Sequence, residues 1–129
     1  MGLNERRKVK ELQDVIFPER IREIAEICGA AIPYEVDWTS LSDDAGALNF
    51  IDNVSCHRLN MALRMICQDE MGKEAVRDGL KLVKLKNVKG QPSSITFDSG
   101  TLEMHCDYAV GASSIISDGE IRKVLEKGL

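Results

Sequence analysis

From residue 4 to residue 16 the apolar positions Val9, Leu12, Val15 and Ile16 recur at helical spacing, with Arg6, Arg7, Lys8, Lys10 and Glu11 on the opposite side. This predicts an amphipathic helix. Pro18 predicts the start of a second one. At the first helical position its missing N–H costs nothing, Glu19 suits the positive end of the helix dipole, and Ile21, Ile24, Ile27 and Cys28 keep the period. Gly29, which can take a left-handed conformation, predicts its end. After Pro33 the period falls to two: Tyr34, Val36 and Trp38 alternate with Glu35 and Asp37, a short extended segment with one aromatic face. From Ala45 to Met71 helical spacing returns, with Leu48, Ile51, Leu59, Ala62, Leu63, Ile66 and Cys67 on one stripe. Met61 and Met65 widen that stripe, which predicts a helix largely enclosed by the fold, with a break near Asn53.

The last third reads as strands. Val83 and Leu85 alternate with Leu82, Lys84 and Lys86, the Lys89-Gly90-Gln91-Pro92 cluster turns the chain, and Ile95 and Phe97 lead into the hairpin signal Asp98-Ser99-Gly100. Leu102, Met104, Cys106, Tyr108 and Val110 then point one way, and Thr101, Glu103, His105, Asp107 and Ala109 the other. Together these predict a three-stranded antiparallel meander, with the 34–38 segment a candidate fourth strand. Ser117-Asp118-Gly119-Glu120 reads as a capping box that opens a C-terminal helix and turns Ile121, Val124 and Leu125 inward. Helices grouped before strands predict an α+β fold, N-terminal helices packed with the meander and the terminal helix. No linker divides the chain, so one domain is expected over 1–129, mainly helical to residue 80 and sheet plus helix from 81.

Composition narrows the function classes. No apolar run approaches the roughly 18 residues needed to span a bilayer, and no apolar stretch follows the charged N-terminus as a secretory signal requires, so a cytoplasmic address is expected. Cys28, Cys56, Cys67 and Cys106 lack the short paired spacings of a zinc site or a redox dithiol and read as reduced thiols. No motif implies a cofactor.

Charge changes the picture most. Between Arg22 and Arg58 there is no lysine or arginine, while Glu23, Glu26, Glu35, Asp37, Asp43, Asp44 and Asp52 all fall there; the interval stands at −7 in a chain whose total is −4. Tyr34, Glu35, Asp37, Trp38, Asp43 and Asp44 form the mixture of aromatic and acidic groups used at partner surfaces, with Trp38 as anchor and the carboxylates steering a basic protein partner. The expectation is a small macromolecule-binding protein of adaptor or inhibitor type, without catalysis of its own. Oligomeric state is left open, with pairing of an exposed sheet edge in a homodimer as one route.

Two other constellations compete. Glu103, His105 and Asp107, at spacing two on one strand, could orient an imidazole between carboxylates for general-base or metal chemistry. The pairs Cys56-His57 and His105-Cys106 do not make a metal site, because adjacent side chains diverge on helix and strand alike. Lys81, Lys84, Lys86 and Lys89 form a basic strand that could meet nucleic acid; the negative total charge and few aromatics disfavour it, and alternating lysines also guard an edge strand against mispairing.

Overall fold

The computed structural model describes residues 2–42 and 44–129. Helix α1 (Leu3–Glu11) does not stop before Pro18. It passes through a widened turn, Leu12–Ile16, into α2 (Phe17–Cys28), and the Phe17 N–H reaches back five residues to the Leu12 carbonyl. The two expected helices are therefore one continuous rod. A proline ring presses on the carbonyl four residues back and offers it no N–H, and a π-type turn relieves both problems without breaking the axis. Gly29 closes α2 with φ 82°, as expected.

The stripe from residue 45 behaves the same way. Helix α3 (Ala45–Phe50) continues through a second widened turn, Ile51–Cys56, into α4 (His57–Ile66), so the break expected near Asn53 is a bulge instead. Leu59, Ala62 and Leu63 are buried, but Met61 and Met65 are 39% and 46% exposed, which corrects the expectation of an enclosed helix. Helix α5 (Glu70–Gly79) follows, its first turn capped by Asp69, and α6 (Asp118–Gly128) opens on Ser117, whose Oγ accepts from the Glu120 N–H at 3.2 Å.

The fold is α+β, and its sheet is mixed rather than an antiparallel meander. Strands β1 (Tyr34–Val36), β2 (Leu82–Asn87), β3 (Ser94–Asp98) and β4 (Thr101–Cys106) lie in the order β1-β2-β4-β3; β1 and β4 both run parallel to β2, and only the β3–β4 hairpin is antiparallel. Burial explains why β4 takes the inner position. Leu102, Met104 and Cys106 are fully enclosed, whereas β3 offers only the half-buried Ile95 and Phe97 and takes the edge, reached by the 88–93 connection. The 34–38 segment does join the sheet, through Tyr34–Val36 alone. Strand β4 ends at Cys106, before the residue 110 expected, and gives way to short 3-10 turns at Tyr108–Val110 and Ala112–Ser114, leaving Val110 exposed.

One hydrophobic cluster runs from Leu12 to Leu125 and is shared by the helices and the inner face of the sheet. All four cysteines are buried in it, as is Tyr108. Burial is the main force pushing the Cys56 thiol and the Tyr34 and Tyr108 phenols above their ordinary values of 9.0 and 10.0. An unfolded chain releases these protons at those ordinary values while the folded one holds them. Above pH 9 the unfolded state then binds fewer protons, and stability falls as pH rises, by about 1.4 kcal/mol per pH unit for each group past its unfolded pKa. At roughly pH 11 these three together remove about 5 kcal/mol, a large part of an ordinary domain's total. Urea denaturation across that alkaline range is expected to show the decline; a flat profile would mean that these groups ionise in the folded protein.

Candidate functional site

Alternation along the strands sends one set of side chains into the core and the other to an open face. Register then fixes how the open set lines up. Glu35, Lys84, Glu103 and Thr96 form one row across the four strands, and Lys86, His105 and Ser94 form the next. Strands lie about 4.8 Å apart, so the signs along the first row alternate at close range. Lys84 Nζ stands 4.0 Å from Glu35 Oε2, and His105 Nε2 stands 2.5 Å from Glu103 Oε2. Asp37, just past β1, donates its N–H to the Leu85 carbonyl at 3.0 Å and so stays beside β2. Between these groups lies a cleft of about 250 Å³ lined by Glu35, Val36, Asp37, Lys84, Leu85, Lys86, Glu103 and His105. Residues from all three competing constellations meet in it.

The acidic and aromatic set does not gather round an exposed indole. Tyr34 and Trp38 turn the other way, onto Phe17, with ring centroids 5.0 and 5.8 Å from it, and both pack against the core. Glu35 and Asp37 are exposed on the open face. Asp37 also caps the turn Trp38–Leu41, its Oδ1 accepting from the Ser40 N–H at 3.2 Å. Asp44 caps α3, accepting from the Ala47 N–H at 3.1 Å and from Asn87 Nδ2 at 3.2 Å. Asp43 lies outside the described residues. The remaining carboxylates of the interval meet arginines: Asp52 and Glu23 bond Arg20 at 2.7 and 3.0 Å, and Glu26 bonds Arg22 at 2.7 Å. Burial alone would lower the Arg20 pKa, but the hydrogen bonds and charge of Asp52, and then Glu23, raise it above its ordinary value. Charge segregated along the chain is therefore largely mixed in space.

The other two constellations are also divided. Glu103 and His105 stay together, but Asp107 is 8% exposed and its Oδ2 accepts from the Gly90 N–H at 2.9 Å, tying the turn after β2 to the end of β4. It leaves the polar row because the strand ends one residue earlier, so alternation no longer governs where its side chain points. Among the described residues, no group of three or more His, Cys, Asp or Glu is placed to hold a metal ion. Of the lysines, Lys84 stands between Glu35 and Glu103, Lys81 Nζ donates to the Arg77 carbonyl at 2.8 Å, and only Lys84 and Lys86 line the cleft. Strand β2 lies inside the sheet, so its alternating lysines do not protect an edge.

One residue of consequence carried no signal in the sequence. Asn87, 6% exposed, donates its backbone N–H to Ser40 Oγ at 3.0 Å and its Nδ2 to the Ser40 carbonyl at 3.0 Å, and accepts from the Tyr108 N–H at 3.2 Å. It thereby holds the 37–44 segment against the end of β2. Comparison with protein-family models, with curated proteins and with solved structures finds no match. No helix among the described residues is long and apolar enough to cross a membrane.

Proposed function

We propose that the chain is a small cytoplasmic protein of adaptor or inhibitor type that binds another protein through the open sheet face and has no catalysis of its own. The reading rests on one observation: Glu35, Lys84 and Glu103 alternate in sign across three adjacent strands, with Asp37, Lys86 and His105 beside them round a shared cleft. A rigid pattern of charges on a sheet suits recognition of a partner whose charges complement it in register, and it governs approach more than final affinity. In this reading basic groups of the partner meet Glu35 and Asp37 at the β1 side. The aromatic residues Tyr34 and Trp38 serve from beneath, stiffening the segment that presents them. Asp44 acts the same way through its cap on α3.

The test combines Glu35→Lys with Asp37→Asn, since asparagine can keep the cap on Trp38–Leu41 while losing the charge. Proteins captured from the source cell with the wild-type chain supply the partner, and its association rate with the double variant is expected to fall about tenfold at low ionic strength, with the melting temperature nearly unchanged. An unchanged rate in a folded variant would remove the proposal.

The 2.5 Å pairing of His105 with Glu103 favours one other reading, a small enzyme in which the carboxylate orients the imidazole as a general base. His105→Ala separates the two. The binding reading expects capture to persist with a modest loss of affinity, whereas the enzyme reading expects function to vanish from a folded protein. A nucleic-acid role would require strong retention on heparin; with carboxylates on both sides of Lys84, the protein is expected to pass through.

A further inference from the structure

Cys28 is the last residue of α2, and Cys67 sits at the C-terminal cap of α4; the packing of these two helix ends brings their sulfurs to 2.9 Å. That is about 0.9 Å more than a disulfide bond, so closure needs only a small approach. Both sulfurs lie at helix ends, where the backbone is less constrained than in the middle of a helix. Cys28 is followed directly by Gly29, at φ 82°, and Cys67 has already left helical geometry, with φ −89° and ψ 22°. The pair is buried but not deep on both sides, for Cys67 keeps 5% of its surface while Cys28 keeps none. The other two thiols, Cys56 and Cys106, are 1% and 0% exposed and have no such sulfur neighbour among the hydrogen bonds of the described residues.

We infer that Cys28 and Cys67 form a redox modification site, a buried dithiol that a small peroxide-class oxidant converts into an intramolecular disulfide. The Cys67 sulfur, the more accessible, attacks one peroxide oxygen. The O–O bond breaks, one water leaves, and Cys67 becomes a sulfenic acid. The Cys28 sulfur then attacks the Cys67 sulfur, the S–S bond forms, and the sulfenic oxygen leaves with the Cys28 proton as a second water. Two thiols lose two electrons and two protons, and the peroxide takes both. Burial raises the pKa of both thiols, and at Cys67 this is partly offset by its hydrogen bond with Cys28 and by the charges of Lys73 and Arg77. This slows the first step without preventing it. The crosslink closes a long loop holding β1, α3 and α4, so it restricts the unfolded chain more than the folded one.

The experiment treats the folded wild-type protein with hydrogen peroxide, reads its intact mass, maps the crosslink by digestion without reductant, and follows the melting temperature. The expected result is a species lighter by two hydrogens, a single crosslink between the peptides carrying Cys28 and Cys67, and a melting point raised by about 10 °C that a dithiol reductant reverses. The variant with Cys56→Ser and Cys106→Ser should behave like the wild type, and Cys67→Ser should lose the crosslink. The wild-type peptide map reads the crosslink directly and does not depend on any variant folding. A mass that does not change, a gain of oxygen without crosslinking, or a crosslink through Cys56 or Cys106 would each overturn it.

Discussion

Replacing Arg20 with methionine is expected to cost about 2–3 kcal/mol of stability, the loss typical when the cation of a half-buried, hydrogen-bonded charge network is removed. The Arg20 side chain is 19% exposed and bonds Asp52, whose side chain is 15% exposed, and Glu23, 30% exposed. Glu23 Oε1 also accepts from Nδ2 of the buried Asn60 at 2.8 Å, so its position is held from two sides. Methionine fills much of the volume but leaves the half-buried Asp52 and Glu23 carboxylates without their shared cation. Lysine should rescue only part of the loss, since one ammonium cannot reproduce the planar fork that reaches both acids. Urea denaturation at neutral pH measures the effect. Adding Asp52→Leu to the methionine variant should recover stability, because it removes an orphaned charge. A loss below about 1 kcal/mol would show that solvent already screens the network.

Gly72→Ala should rank with it. A Cβ at this position falls 1.7 Å from the Ile66 carbonyl oxygen and 2.8 Å from its carbon, both backbone atoms that cannot rotate away. The first turn of α5 crosses the last carbonyls of α4 there, and a methyl group must push the two helices apart. A loss of at least about 3 kcal/mol and a melting point lower by about 10 °C or more are expected. Gly119→Ala is the control. It lies in the first turn of α6 with no atom within 4 Å of its Cβ, so it should be neutral or slightly stabilising, alanine being the better helix former. Equal effects at the two sites would mean that the α4–α5 junction yields easily.

The Arg20 network also disperses the acidic interval. Along the chain that interval is a run of unpaired acids, because Arg20 and Arg22 stand just outside it. In the fold Arg20 reaches Asp52, 32 residues away, and the caps on the Trp38–Leu41 turn and α3 take Asp37 and Asp44. Of the described carboxylates between residues 34 and 44, Glu35 and Asp37 stay exposed, now beside Lys84, Lys86, Glu103 and His105, which belonged to other readings. Trp38 could not be placed from its surroundings in sequence. Alternation puts it on the same face as Tyr34 and Val36 but does not say which face is buried; Phe17, from a different element, decided that.

Local periodicity sufficed for the α+β class, for the helices over their main spans, for the Gly29 stop and for the Ser117 cap. Each of these depends on groups within a turn or two of one another, and neighbours in the chain are neighbours in space at that range. The same range covers the two hairpin strands β3 and β4, joined at Ser99-Gly100. Strand order lay beyond it. Backbone hydrogen bonds are alike for every residue, so whether β2 pairs with β3 or β4 turns on which strand can be buried most fully, and that balance exists only once the helices cover the sheet. The same holds for the bulges that kept two helices unbroken, for the methionines left at the surface, and for a cleft assembled from residues 35, 84 and 103: packing across distant segments, not spacing along one, set them in place.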